Sequence, residues 1–482
     1  MSVKGIAVAL GCFTLALACG DPNGPRSGLN ILSGDQLSDT VGSLFRPSLA
    51  VRLLDGNLQP LANQTVYFNT NGVVLVAPIN SPGSVINRLP VTTDANGDAS
   101  VWVEAKFGAG SGKVVVVAPS GQSVETHYTV LPGAAARVRA DPSDTVLYVG
   151  GSETFRPYIT DAYGNRRPDM PTYQYQSLNG ALAVSGAQKA TGPTIGRGSV
   201  AITALGFTDT VWASVVPQGR VATQYVGRGD FGGPIIVINL DGSAFDTIPR
   251  SYPGGRSLDW SGVTHDFVLD RVGTGEYVLL MDTMGTSRRL VTDSLMRSQY
   301  HPQYSNDGSH VYFAGNDSVT TCYGIWRIHP NGTGLERVVA DTSDCGVLAY
   351  QNDPVPNYAS SPSPDGHRLV YVGHTLRIRT LATGADTSLG VVGDVPRWSP
   401  TGEWIAYDSL GTIMLIHPDG TGHQSLLDRG RVLVLRPVVG WSPDGQWLLY
   451  RNNDRLVLVQ VATGLQLPLA FTVGLSDPIW QR

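Results

Sequence analysis

Downstream of residue 28 the chain reads as short runs in which apolar or β-branched residues alternate with polar ones, the period of a strand with one buried face. Residues 48–54 run into the turn Asp55-Gly56-Asn57, residues 65–68 follow, and residues 92–103 form a hairpin pattern around Asn96-Gly97. Further strand patterns occupy 113–118 and 124–130. A second set comprises 148–155, the turn Asp161-Ala162-Tyr163-Gly164-Asn165, 198–204 and 211–216. No long stretch after the N-terminus carries the 3.6-residue period of a helix, so the chain is expected to be all-β. Leu131-Pro132-Gly133 and Pro217-Gln218-Gly219 interrupt the pattern as linkers. They divide it into spans 29–132, 133–217 and 218–482.

The last span is a repeat. Trp398-Ser399-Pro400-Thr401-Gly402 leads into a strand pattern at 403–407, and Trp441-Ser442-Pro443-Asp444-Gly445 into one at 446–450. Ser363-Pro364-Asp365-Gly366 and Ser305-Asn306-Asp307-Gly308 are further copies. Proline at the second turn position presets φ, Asp suits the third, and Gly supplies the positive φ that closes the loop. Each copy has a second half, a strand running into a turn. The clearest are His329-Pro330-Asn331-Gly332 and His417-Pro418-Asp419-Gly420, with looser versions at Gly242, Gly285, Gly384 and Gly464. A period near 40–45 residues with about four short strands per unit is the signature of a β-propeller.

The paired motif resembles the TolB-type propeller repeat, also called the WD40-like or PD40 repeat, over about 218–482. The resemblance implies a propeller that holds a protein partner of the cell envelope at its mouth. Within this region the first unit, 221–249, has the strand pattern 234–240 but no preceding W-S-P-D-G half. Asp477-Pro478-Ile479-Trp480 repeats Asp394-Val395-Pro396-Arg397-Trp398 in outline. That tail strand is expected to enter the first blade beside 235–240, complete six blades and remove two exposed sheet edges.

Upstream, Asp55-Gly56-Asn57, Pro60-Leu61, Val66, Phe68 and the later Thr93-Asp94-Ala95-Asn96-Gly97 resemble bacterial Ig-like domains of the invasin/intimin type. Residues 133–217 read similarly. The expected architecture is two Ig-like β-sandwiches, each with its own core, followed by a six-bladed TolB-like β-propeller.

The N-terminus changes the setting. Lys4 and an apolar run over 5–17 have the length of a signal h-region, too short to span a bilayer. The run ends in Leu15-Ala16-Leu17-Ala18-Cys19, which resembles a bacterial lipobox with Leu15 one place early. Residues 1–18 are read as a signal peptide, Cys19 as the lipidated residue and 19–28 as a Pro/Gly-rich tether. The alternative is an ordinary signal peptide with Cys19 incidental. The protein is then exported and anchored at the outer membrane, periplasmic or surface-facing, through lipid only. Cys12 leaves with the signal; Cys322 and Cys345, in an exported chain, are expected to form a disulfide, with two free thiols as the alternative.

Charge excludes some partners. The 482 residues carry a net charge of −5 with a pI near 6.0, and no basic footprint for nucleic acid appears. Candidate chemistry is sparse. Asp94-Ala95-Asn96-Gly97-Asp98 looks superficially like a calcium loop but lacks the distal Glu and sits at a hairpin turn. His329 and His417 hold equivalent repeat positions, which points to structure rather than a ligand pair. No G-x-S-x-G elbow, H-E-x-x-H or C-x-x-C pattern occurs. The expectation is a non-enzymatic envelope protein with no cofactor or metal, binding an envelope protein. The alternatives are an adhesin that binds a cell-surface glycan, and a hydrolase or lyase with its site in the propeller channel.

Overall fold

The computed structural model describes residues 26–481 apart from 185–187, 227–231, 250–256, 272–276, 293, 319–322, 341–358, 429–438, 453–454 and 473. Every regular element among the described residues is a strand. Cys19, Cys322 and Cys345 lie outside the described residues. The chain forms two compact units, one reaching to residue 139 and including 158–171, the other comprising 140–157 and 172–482. The expected middle span, 133–217, is thus shared between them.

The first unit packs two sheets face to face. One has strand order Gly28–Ser33, Leu49–Leu54, Asp98–Ala105, Val74–Pro78; the other Ser38–Thr40, Ser123–Leu131, Gly110–Val117, Thr65–Gly72, Arg88–Thr92. Alternation does the work foreseen for it. Leu49, Val51, Val101 and Val103 from one sheet meet Val66, Phe68, Val114 and Val116 from the other in a single core. The segment 158–171 is tied down by Asp161, whose Oδ1 accepts the Tyr163 and Asn165 N–H groups and whose Oδ2 accepts that of Gly133.

In the second unit, Asp144–Tyr148 pairs in parallel with Phe207–Val216, which continues through Gly196–Ala204 to Gln174–Ser177. Six four-stranded antiparallel sheets follow. The second holds Leu258–Trp260, Phe267–Arg271, Tyr277–Met281 and Ser287–Arg289; the third Met296–Tyr304, Val311–Asp317, Tyr323–Ile328 and Glu336–Ala340. The fourth holds Ser360–Pro362, Arg368–Val372, Leu376–Thr380 and Asp386–Ser388; the fifth Asp394–Trp398, Ile405–Ser409, Thr412–Ile416 and Gln424–Asp428. The sixth holds Gly440–Trp441, Trp447–Asn452, Arg455–Gln460 and Gln466–Pro468.

The first sheet differs. Its order is Phe245–Thr247, Gly232–Asn239, Arg220–Val226, Leu475–Trp480. The tail strand enters this sheet, but beside Arg220–Val226, with Val221 opposite Trp480 and Ala222 opposite Ile479. The expected neighbour, 235–240, lies one strand further out, paired to the other edge of Arg220–Val226. Thr223 and Gln224 are fully buried there, so this strand lacks the apolar alternation by which strands are read from sequence.

Each neighbouring pair of sheets shares one apolar cluster. Ile479 with Trp260 joins first to second, Val268 with Phe313 second to third, and Tyr312 with Leu369 third to fourth. Val370 with Trp398 joins fourth to fifth, Ile413 with Val439 fifth to sixth, and Leu449 with Trp480 sixth to first. The sheets therefore close on themselves, the arrangement of a β-propeller.

The middle span buries Phe155, Leu182, Val200, Ile202, Val211 and Val215, and it also packs in part on the propeller. Val146 and Val216 belong to the same cluster as Leu467, Leu469 and Trp480, at the junction of sixth and first sheets. The Ser214 hydroxyl donates to the Pro468 carbonyl (2.8 Å) and the Tyr148 hydroxyl to that of Gly219 (2.8 Å). Gly219, expected in a linker, is a packed junction residue. Burying β-branched side chains against the seam stabilises more than leaving a flexible hinge.

Candidate functional site

The repeated serine turn builds the ends of the inner strands. In four sheets the glycine has φ between 69° and 77°, at Gly308, Gly366, Gly402 and Gly445. The serine hydroxyl accepts the N–H that begins the next strand: His310 to Ser305, Arg368 to Ser363, Trp404 to Ser399 and Trp447 to Ser442, at 2.9–3.0 Å. In three of them it donates in turn to an acid, as from Ser305 to Asp307 (2.6 Å), while Ser399 pairs with the Thr401 hydroxyl (3.1 Å). These interactions fix where each inner strand stops and turns.

The second-half turns lie at the same end, because first and third strands of each sheet run in one direction. His329 and His417 join the two kinds of turn. Nδ1 of each donates to a turn carbonyl, Ser309 (2.9 Å) and Glu403 (2.8 Å), and each ring packs on its neighbour, His310 and Trp404. Their equivalence is architectural. Asp94 is likewise spent on its own turn, Oδ1 accepting from Asn96 and Asp98.

Register places one residue per sheet at the same channel position, immediately before the residue that pairs with the start of the second strand. These are Ile479, Asp259, Gln303, Ser361, Arg397 and Gly440, in sheet order. All are buried, and Arg397 is only 5% exposed. Two of them brace the next sheet: Asp259 Oδ2 accepts from the Tyr304 N–H (2.8 Å), and Ser361 Oγ from that of Trp398 (3.0 Å). Pro362, which has no N–H, sits at the corresponding place beyond Gln303.

A cavity with about 30 Å³ of room for water-sized groups lies among Gln303, Ser361, Arg397, Trp398, Trp441 and Trp480. It opens toward the serine turns, where Asn306, Pro364 and Pro400 form its rim. Space of this order suits a water or a small polar group. The indole N–H of Trp398 donates to Gly402 O (3.3 Å) and that of Trp441 to Arg397 O (3.0 Å). Trp480 holds the place of Trp398 in the first sheet, yet its buried Nε1 has no acceptor. A second depression, of about 290 Å³, lies in the first unit beside Gly28, Asp55 and Gln122; the Asp55 carboxylate is taken up by the Asn57 and Gln59 N–H groups.

Among the described residues no three His, Cys, Asp or Glu side chains group as a metal site, and no helix is long and apolar enough to cross a membrane. The channel ring was missed from sequence, although aligning the repeats on their tryptophan would have exposed it. It is the column in which Asp259, Gln303 and Arg397 replace one another.

No family model matches the chain. No curated protein matches it either. Solved structures with a similar fold include TolB propellers at low identity. TolB from Acinetobacter baumannii superposes with a TM-score of 0.42 at 13% identity, covering 72% of this chain and 99% of that one. A putative TolB from Agrobacterium tumefaciens gives 0.39 at 15%, covering 54% and 92%. An oligogalacturonate lyase in complex with manganese gives 0.32 at 12%, covering 53% and 73%. At these values the propeller architecture is carried by the sheet order itself, and enzymes and non-enzymes share it.

Proposed function

We propose that this chain is an exported lipoprotein of the cell envelope, anchored through Cys19, whose two Ig-like modules (29–132 and 133–217) carry a six-bladed TolB-like propeller that binds a protein partner on its serine-turn face. The role is binding rather than catalysis. The observation that carries this reading is the state of the channel. Trp398, Trp441 and Trp480 line a cavity of about 30 Å³ there, against the roughly 300–1,000 Å³ of ordinary ligand sites. An oligosaccharide chain does not fit so small a recess, whereas a protein surface can cover it. A Cys322–Cys345 disulfide belongs to the same reading of an exported protein.

Photo-crosslinking residues placed at Asn306 and Asp365 on the turn face, and at Val392 and Leu410 at the opposite end of the sheets, test it in envelope preparations. One defined protein adduct from the turn face alone is expected. Equal adducts from both faces, or specific retention on a glycan array without any protein adduct, would sink the reading.

A further inference from the structure

The depression in the first unit has the room that the channel lacks. Its volume of about 290 Å³ stands at the lower end of ordinary ligand sites, enough for one small ring rather than a chain. It lies among the loops at one end of the two-sheet sandwich, the part of such a fold that carries binding surfaces without disturbing the core. Two locked turns border it. In the first, Asp55 Oδ1 accepts the N–H groups of Asn57 and Gln59, both at 2.8 Å. In the second, the Ala118 carbonyl accepts the Gly121 N–H and the Gln122 carbonyl that of Ala118, both at 2.9 Å. The walls are thus set before any ligand arrives, and little ordering opposes binding.

The polar groups are of mixed kind. Both N–H groups that hold the Asp55 carboxylate fall on Oδ1, which leaves Oδ2 to accept. Gln64 spends one amide hydrogen on the Ala62 carbonyl (3.4 Å) and keeps a second donor and its oxygen. Gln122 lies against Gly28, whose φ of 98° favours glycine and where a Cβ would run into the Gln122 amide. Leu53 and Leu54, 4% and 6% exposed, supply an apolar wall. None of the described lining residues is Lys, Arg or His. A phosphate or carboxylate guest would meet the Asp55 charge with no cation to offset it. An ammonium guest could pair with Asp55 but, having donors only, would leave the two amides' own donors unanswered. A sugar hydroxyl both donates and accepts, so one ring answers the carboxylate and the amides together while its C–H face rests on leucine.

We propose that this depression binds one neutral sugar ring of a glycan, with Asp55 Oδ2 accepting from one hydroxyl and the Gln64 and Gln122 amides holding others. The site belongs to the first unit, and its test does not depend on the propeller's turn face.

Saturation-transfer NMR of the full chain tests it with the methyl glycosides of glucose, galactose, mannose and N-acetylglucosamine, and with butylamine and acetate as controls. At least one glycoside is expected to give a saturable signal, and acetate none. Asp55→Asn keeps Oδ1 for the turn and puts a donor in place of Oδ2; it should weaken binding about tenfold or more, the loss of a charged hydrogen-bond partner. Gln122→Ala should weaken it several-fold. The turn bonds of Gln122 are made by its backbone, so this variant folds as the parent does and keeps the test open if the other does not. A glycoside signal weakened in this way upholds the site. No saturable signal from any of the four glycosides overturns it with the unaltered protein. A glycoside signal that Gln122→Ala and a folded Asp55→Asn both leave unchanged also overturns it, by placing the sugar elsewhere. Butylamine binding that Asp55→Asn removes, without glycoside binding, would make the depression a cation site and overturn the sugar.

Discussion

Gly219 lies so close beneath the Trp480 indole that a Cβ at position 219 would come within 2.2 Å of the ring. The residue that leads into the propeller and the tryptophan of its tail strand thus occupy one joint. Gly219→Ala is expected to destabilise by about 1–3 kcal/mol through overpacking. Trp480→Ala should cost about 3–5 kcal/mol by leaving a cavity. In the double variant the alanine at 219 should cost far less, because its clash is gone. Urea unfolding of the three variants measures this; strict additivity would show that the two residues do not meet.

The middle span and the propeller should unfold as one. Val146 and Val216 lie in the cluster that contains Trp480, a contact the expectation of separate cores did not include. Val216→Ala should therefore lower the propeller's own melting transition, by roughly 2 kcal/mol at the midpoint. Tyr148→Phe, which removes the hydroxyl donated to Gly219 O, should cost about 1 kcal/mol. Calorimetry that resolves an unaffected propeller transition in both variants would restore independent modules.

The serine turns carry stability out of proportion to their size. Ser442 Oγ accepts the Trp447 N–H and donates to Asp444, and Trp447 is almost fully buried. Ser442→Ala leaves that N–H without an acceptor and should cost about 1–3 kcal/mol. Ser442→Thr, which retains the hydroxyl, should recover much of the loss. Chemical denaturation of the pair decides it.

Acid should loosen the third sheet early. Burial, then the nearby His329 and Arg327 charges, hold the His310 imidazole below its ordinary 6.5. The unfolded chain then takes up a proton at a higher pH than the folded one, so stability starts to fall as pH drops below about 6.5 and the loss is complete once pH passes the lower folded value. His310→Phe should flatten that part of the profile. An unchanged slope between pH 7 and 5 would place the titration elsewhere.

The proposed export and anchoring give a last check. Cys19→Ser should release the protein from the membrane fraction and abolish labelling by palmitate, and identical partitioning would refute the anchor. Alkylation without reduction should leave Cys322 and Cys345 unlabelled if they are joined, with about 3 kcal/mol of stabilisation in the chain-entropy model.

The strands and their turns were legible because backbone geometry dictates them. A turn that needs positive φ recruits Gly402 or Gly445, and a hydroxyl that must serve two partners recruits Ser399 or Ser442. The neighbour of the tail strand was not legible, because Thr223 and Gln224 make a buried strand look polar. Nor was the packing of Val216 on the propeller, since it reads as any strand interior. The channel ring escaped for a related reason. Arg397, Asp259 and Gly440 share a position only by register, and their chemistry differs as a surface's would, yet closure of the ring buries them all.

The ladder between Val221 and Trp480 joins residues more than half the chain apart. During synthesis, the first three strands of that sheet emerge long before their fourth. Until then Arg220–Val226 presents an unsatisfied edge, and every intervening sheet can form without the ring being shut. Assembly is thus held open until late, which makes the nascent chain a natural client for a holding chaperone and gives a protease a window that disappears once Trp480 is seated.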